Sequence, residues 1–137
     1  MTEDSLVGAL VITHGRLGHE LVAAAKTIVG EILHIAAVSI GWNDDADKSK
    51  KEIEEAARRV NQGKGVIILT DMFGGTPSNV SLSLLKRDQL EIITGVNLPM
   101  IIKLANQSGK ERLSELAVKV KEQGQKHISI ASELLGE

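Results

Sequence analysis

The stretch "LVGALVITHGRLGHEL", residues 6–21, carries a nearly unbroken apolar run into His14, then Gly15, then an amphipathic segment. A short apolar run closed by a polar residue and a glycine reads as a buried strand handing over to a helix. Leu17, Leu21, Val22, Ala25, Ile28 and Val29 recur at helical spacing until Gly30 stops them. Residues 6–13 are therefore expected as a strand and the residues after Leu17 as a helix, with an imidazole at the junction.

The same alternation repeats outward from this stretch. "HIAAVSI" (34–40) reads as a second strand, followed by the loop "GWNDDAD" (41–47). From Asp44 to Asn61, Ile53, Ala57 and Val60 share one face. Glu54 with Arg58 and Glu55 with Arg59 take the i,i+4 spacing that supports a helix, and Gly63 closes it. "GVIILT" (65–70) is short and apolar, as a central strand of a parallel sheet is. After "DMFGGTP" (71–77) a helix is expected with Thr76 as N-cap and Pro77 in its first turn, turning Val80, Leu84 and Leu85 inward. "LEIITGV" (90–96) is a fourth strand. Asn97 and Pro99 open a helix through Met100, Ile101 and Leu104. Leu113, Leu116, Ala117 and Val120 mark a last helix stopped by Gly124, and "KHISIA" (126–131) reads as a short fifth strand. The pattern predicts one α/β domain over residues 1–137: a doubly wound, mainly parallel four-stranded sheet with helices on both faces.

Composition narrows the function. The chain has 137 residues, 42% of them apolar, and Trp42 and Phe73 are its only aromatics, so Val, Ile, Leu and Ala must build the core. A net charge of −2 with no lysine or arginine run offers no basic field for nucleic acid, and two aromatics are a poor platform for bases. There is no cysteine, which excludes disulfide and thiol chemistry. The start "MTEDS" lacks the basic region of a secretory signal. No apolar run approaches the roughly 20 residues of a membrane helix. A soluble cytoplasmic domain without membrane insertion is the expectation.

Right-handed crossovers put the carboxyl ends of all parallel strands at one edge, where open α/β sheets bind ligands. With the strand order 2-1-3-4, His14 and Asp71 end neighbouring strands and face each other across the switch point. A carboxylate accepting one ring N–H fixes the imidazole tautomer and leaves the other nitrogen as a nucleophile. Gly74 and Gly75 let the backbone approach a ligand, and the helix after Pro77 aims free N–H groups at the same crevice. Phosphate oxygens beside a histidine nitrogen suit phosphoryl transfer through His14. Each residue taken singly has a plainer reading: His14 as a hydrogen-bonded structural residue, Asp71 as a turn cap, Gly74 and Gly75 as an ordinary tight turn. Only their conjunction points to chemistry.

The remaining histidines do not build a metal site, which needs three or four converging ligands. His19 has no acidic ligand on its helical face, and His34 and His127 fall near strand starts at the opposite edge. Arg16, Trp42 and Phe73 are candidate partner contacts at the carboxyl edge. A nucleotide- or flavin-binding domain fits poorly, because no G-x-G-x-x-G follows the first strand.

"VITHGRLGHEL", "VIILTDMFGGTPSN" and "GVNLPM", in this order, resemble the IIA components of the mannose class (mannose, fructose, sorbose) of the bacterial phosphoenolpyruvate-dependent sugar phosphotransferase system (PTS). The resemblance spans about residues 5–131. It implies a phosphotransferase component in which His14 carries the phosphoryl group and Asp71 hydrogen-bonds it. Thr76, where many relatives have Ser, would help hold the phosphoryl oxygens, and Phe73 stands where some relatives have Trp. It further implies the phosphocarrier HPr as donor, a IIB component as acceptor with a IIC/IID permease beyond it, and no cofactor. A free-standing IIA is expected, and a homodimer in which the C-terminal strand "KHISI" crosses to the partner. The same fold also serves a phosphotransfer subunit of PEP-dependent dihydroxyacetone kinases, and a regulatory phospho-acceptor without transport is a further reading. The sugar is not legible, because a IIA component never touches it.

Overall fold

A computed structural model of the chain describes residues 5–41, 46–72 and 89–136. Its strands are β1 (Gly8–His14), β2 (Ile35–Ile40), β3 (Val66–Thr70) and β4 (Leu90–Thr94). Its helices are α1 (Leu17–Val29), α2 (Ala46–Val60), α3 (Leu98–Ala105), α4 (Leu113–Lys126) and the single turn α5 (Ala131–Leu134). The four strands form one parallel sheet in the order β2-β1-β3-β4, as the sequence predicts. The chain runs from β1 outward to β2, then crosses back to β3, so the order reverses between β1 and β3.

The unbroken apolar character of β1 follows from burial on both faces. Val7, Ala9 and Val11 join a cluster with Val22 and Ala25 of α1, Ile101 and Leu104 of α3, and Leu116 and Val120 of α4. Leu10 and Ile12 pack on the opposite face with Ile53, Ala56 and Val60 of α2. Each fully buried aliphatic side chain contributes about 1.5–3 kcal/mol. β3 is buried throughout, whereas the outer strands β2 and β4 are only partly covered. At the entry to β1, the Gln107 amide imitates a neighbouring strand: Val7 N–H donates to its Oε1 at 2.8 Å and its Nε2 donates to Val7 O at 2.9 Å.

Two expectations are corrected, at Gly124 and at "KHISIA". Gly124 does not stop α4, which continues to Lys126. A Cβ at Gly124 would lie 2.6 Å from Met100 Cγ, so this glycine serves close packing against α3. Leu17 and Ile28 keep the helical spacing but are 49% and 60% exposed. Finally, among the described residues "KHISIA" pairs with no strand: Ile128 N–H donates back to Gln125 O at 3.2 Å and a helical turn follows from Ala131. α4 ends beside Asn97, whose Nδ2 donates to Gly124 O at 3.0 Å, and the chain leaves from that edge without folding back along β4. The helix expected after Thr76, with Val80, Leu84 and Leu85, lies outside the described residues.

Candidate active site

Parallel pairing of β1 with β3 brings the residues just beyond Ile12 and Thr70 together at the switch point. There His14 ends β1 and Asp71 follows β3. His14 Nδ1 lies 2.9 Å from Asp71 Oδ2, and the same oxygen accepts the His14 backbone N–H at 3.0 Å. The other carboxylate oxygen, Oδ1, accepts the Met72 N–H at 3.0 Å. The imidazole is 44% exposed and the carboxylate 14%, so the ring faces solvent while its anchor is largely covered.

Burial pushes the Asp71 carboxyl up, but the hydrogen bonds from the His14 ring and backbone, the electrostatic attraction of that ring and the Met72 N–H together outweigh it. They hold the group below its ordinary value of 3.8. Asp71 is therefore an acceptor-only carboxylate at neutral pH, which makes Nδ1 the donor. In the neutral ring the lone pair then sits on Nε2.

The turn beneath the imidazole is tightly specified. Gly15 takes φ +56°, a left-handed conformation that a side chain would resist, and its N–H donates to Ile40 O at 3.2 Å. Thr13, fully buried, accepts the Gly18 N–H on Oγ1 at 2.7 Å. On the neighbouring strand, Gly95 and Val96 N–H both donate to Thr70 O at 2.9 Å, fixing the exit of β4 against the end of β3.

The structure thus brings together His14 and Asp71. Gly74, Gly75, Thr76, Phe73 and Trp42 lie outside the described residues. Arg16 occupies the N-cap position of α1, and its guanidinium lies 3.9 Å from Glu20 on the solvent side. His19 Nδ1 is hydrogen-bonded to Ser39 Oγ at 3.0 Å. Buried His34 donates from Nε2 to Leu104 O at 3.0 Å, a structural bond at the amino edge. His127 caps α4 instead of starting a strand, donating from Nδ1 to Gln123 O at 2.9 Å, and this places it on the carboxyl side of the sheet. Among the described residues, no group of three or more His, Cys, Asp or Glu could hold a metal ion, and no helix is long and apolar enough to cross a membrane.

Sequence reasoning does not single out Thr13. Its signal is a hydroxyl just before the strand-ending histidine, followed by a glycine in the first turn of the next helix. Nor does it foresee that Leu17 and Met72, 49% and 58% exposed, flank His14 and Asp71 in the chain with apolar side chains open to solvent.

Comparison with known proteins identifies the family. Residues 8–121 match the family model described as the PTS system fructose IIA component. The chain is 25% identical over 131 residues to the fructose-specific EIIA component of Bacillus subtilis, covering 95% of this chain and 90% of that protein. It is 29% identical over 96 residues to the mannose-specific EIIAB component of Escherichia coli, covering 69% of this chain but 30% of that longer protein. The solved mannose/sorbose specific IIA subunit of Enterococcus faecalis matches with a TM-score of 0.81 at 28% identity, over 92% of this chain and 95% of that one. A strand-ending histidine held by a carboxylate on a 2-1-3-4 sheet is therefore found in a chain that belongs to the PTS fructose IIA family, the sugar phosphotransfer components of the mannose, fructose and sorbose class.

Proposed function

We propose that this chain is a phosphoryl carrier that accepts a phosphoryl group from phospho-HPr on Nε2 of His14 and passes it to a IIB component, serving sugar uptake through the IIC/IID permease. The observation that carries this reading is the Asp71 carboxylate, which holds the Nδ1–H and so leaves the lone pair on Nε2 of a half-exposed ring.

In the transfer, the Nε2 lone pair forms a bond to phosphorus as the bond from phosphorus to the donor imidazole breaks. The donor, protonated on its other ring nitrogen, keeps that electron pair and leaves as neutral imidazole. The Nδ1 proton stays on His14, so the positive charge gained by its ring meets the Asp71 carboxylate. Phosphoryl transfer proceeds through a loose transition state, and the protein's part is positioning and charge stabilisation. The resemblance assigns the hold on the phosphoryl oxygens to Thr76, and Gly74 and Gly75 would let the loop backbone approach them. Neither a metal ion nor a cofactor is called for when donor and acceptor are both protein imidazoles.

The test is incubation with phospho-HPr carrying labelled phosphate, followed by addition of a IIB component. One acid-labile, alkali-stable label on His14, discharged by IIB, is the expected result. Label on His19, or label persisting in His14→Ala, would overturn the assignment. Label that IIB cannot discharge would leave a phospho-acceptor outside the transport chain.

A further inference from the structure

We propose that Thr13 is a positioning residue for His14, acting through the first turn of α1; the inference rests on the reading of His14 as phosphoryl acceptor. Thr13 is fully buried, yet it is polar and sits beside the exposed imidazole. Its Oγ1 accepts the Gly18 N–H at 2.7 Å. Arg16, at the N-cap position of α1, makes no side-chain cap hydrogen bond. The first turn of a helix needs a side-chain acceptor or water for its free N–H groups. Here the acceptor reaches in from the strand, three residues before the N-cap.

The contact is close-packed as well as hydrogen-bonded. A Cβ on Gly18 would lie 3.1 Å from both Thr13 Oγ1 and Val11 O, so α1 begins pressed directly onto β1. A second strut stands at the same register. Thr13 pairs with Ser39 of β2, and Ser39 Oγ is hydrogen-bonded to His19 Nδ1 at 3.0 Å. Residues 18 and 19 of the helix are thereby tied to two adjacent strands. Between Thr13 and Gly18 lie only His14, left-handed Gly15, Arg16 and Leu17. His14 enters its turn from a strand position whose own side chain holds the far end of that turn.

This arrangement matters because His14 meets Asp71 through both its backbone N–H and its ring. A shift of the turn by a fraction of an ångström lengthens both bonds and frees the ring to exchange tautomers. Misplacement on the scale of 1 Å costs up to about 100-fold in rate. The hydroxyl is the only part of Thr13 that the argument uses, so Thr13→Val removes it at nearly constant volume and Thr13→Ser retains it.

The experiment reads two independent quantities in the full chain. The first is the ring ¹⁵N signature of His14 in the unphosphorylated protein, which reports the fraction with the proton on Nδ1. The second is the rate of labelling by phospho-HPr. Thr13→Val is expected to lower the Nδ1–H fraction and to slow labelling by about 10-fold or more, through kcat and with KM for phospho-HPr unchanged. Thr13→Ser is expected to restore both to near the wild-type values. Should Thr13→Val fail to fold, Gly18→Ala carries the test, because its Cβ presses on Oγ1 while leaving every hydrogen-bonding group in place; slowed labelling is expected there too. Wild-type tautomer and rate in Thr13→Val, equal defects in the Val and Ser variants, or a wild-type rate in folded Gly18→Ala would each overturn the proposal. Failure of the wild-type chain to take label would instead count against the carrier function, while the ring signature still decides whether Thr13 positions His14.

Discussion

A single atom, Asp71 Oδ2, accepts two hydrogens from His14: the backbone N–H at 3.0 Å and the ring Nδ1–H at 2.9 Å. The carboxylate therefore ties the end of β1 to the end of β3 and sets the tautomer of the imidazole in one contact. Hydrogen bonds to an ionised acceptor are roughly twice as strong as neutral ones. The ring cannot turn away without giving up one of them. This coupling of strand placement to ring chemistry is the basis of the first two predictions.

Asp71→Asn keeps the size of the side chain but leaves one accepting oxygen where two are in use, since Met72 N–H occupies Oδ1. The amide NH₂ must then oppose a donor, and the charge that meets the phosphorylated ring is gone. Transfer from phospho-HPr to His14 should slow by on the order of 10²-fold, as for other groups that orient a catalytic histidine. The melting temperature should move by only a few degrees, because the pair sits at the solvent edge of the sheet. Rapid-quench labelling alongside thermal unfolding checks both; an unchanged transfer rate would make Asp71 a turn cap, and an unfolded variant would make it structural.

Acid should reveal the same contact as stability. Despite burial, which pushes it up, the Asp71 carboxyl is held below its ordinary value of 3.8 by its hydrogen bonds with His14 and Met72. A group whose folded value is depressed contributes stability that is complete above the ordinary value and is lost as pH falls through the lower, folded one. The stability advantage of wild type over Asp71→Asn should thus be largest near neutrality and shrink below 3.8. Urea unfolding of both proteins from neutral to acid pH measures it, and a difference that stays constant with pH would contradict the assigned direction.

Gly124 gives a prediction about packing. A Cβ there would meet Met100 Cγ at 2.6 Å and Sδ at 2.7 Å, with Met100 itself buried. Overpacking of this kind costs about 1–3 kcal/mol, whereas replacing a mid-helix glycine by alanine gains about 1 kcal/mol. Overpacking wins, so Gly124→Ala should be destabilising by about 1 kcal/mol. Combined with Met100→Ala, the same change should become neutral or stabilising, because the obstructing side chain is gone. Chemical denaturation of the two single variants and the double variant tests the coupling.

The C-terminal arm leads to a prediction about assembly. Ile128, Ile130, Leu134 and Leu135 are 75%, 62%, 73% and 76% exposed. A groove of about 620 Å³ runs between the outer side of β4 and α4, lined by Ile92, Ile93, Met100, Ala117 and Val118. Exchange of arms between two copies, as the family resemblance implies, would cover both surfaces and pair an open strand edge. Sedimentation should find a homodimer at micromolar concentration and a monomer when the chain is cut after His127. A dimer that survives the cut would place the interface elsewhere.

The sequence by itself determined the strands of the sheet and the meeting of His14 with Asp71. Strands buried on both faces must be continuously apolar, so residues 6–13 and "GVIILT" (65–70) announced the strands observed as Gly8–His14 and Val66–Thr70. The 2-1-3-4 order of parallel strands places the residues that end β1 and β3 side by side at one edge. Hence His14 and Asp71 were legible as a pair before any distance was known. Asn97 was legible too, since an Asn before Leu-Pro is a local capping signal.

Only the tertiary structure decided the rest, because those features depend on what lies across a contact and not on spacing along the chain. Gly124 reads as a helix stop until Met100 is seen against it. Thr13 reads as one more strand residue until Gly18 donates to it. "KHISIA" has the alternation of a strand, but a strand exists only where another strand offers its backbone hydrogen bonds, and among the described residues none pairs with residues 128–130.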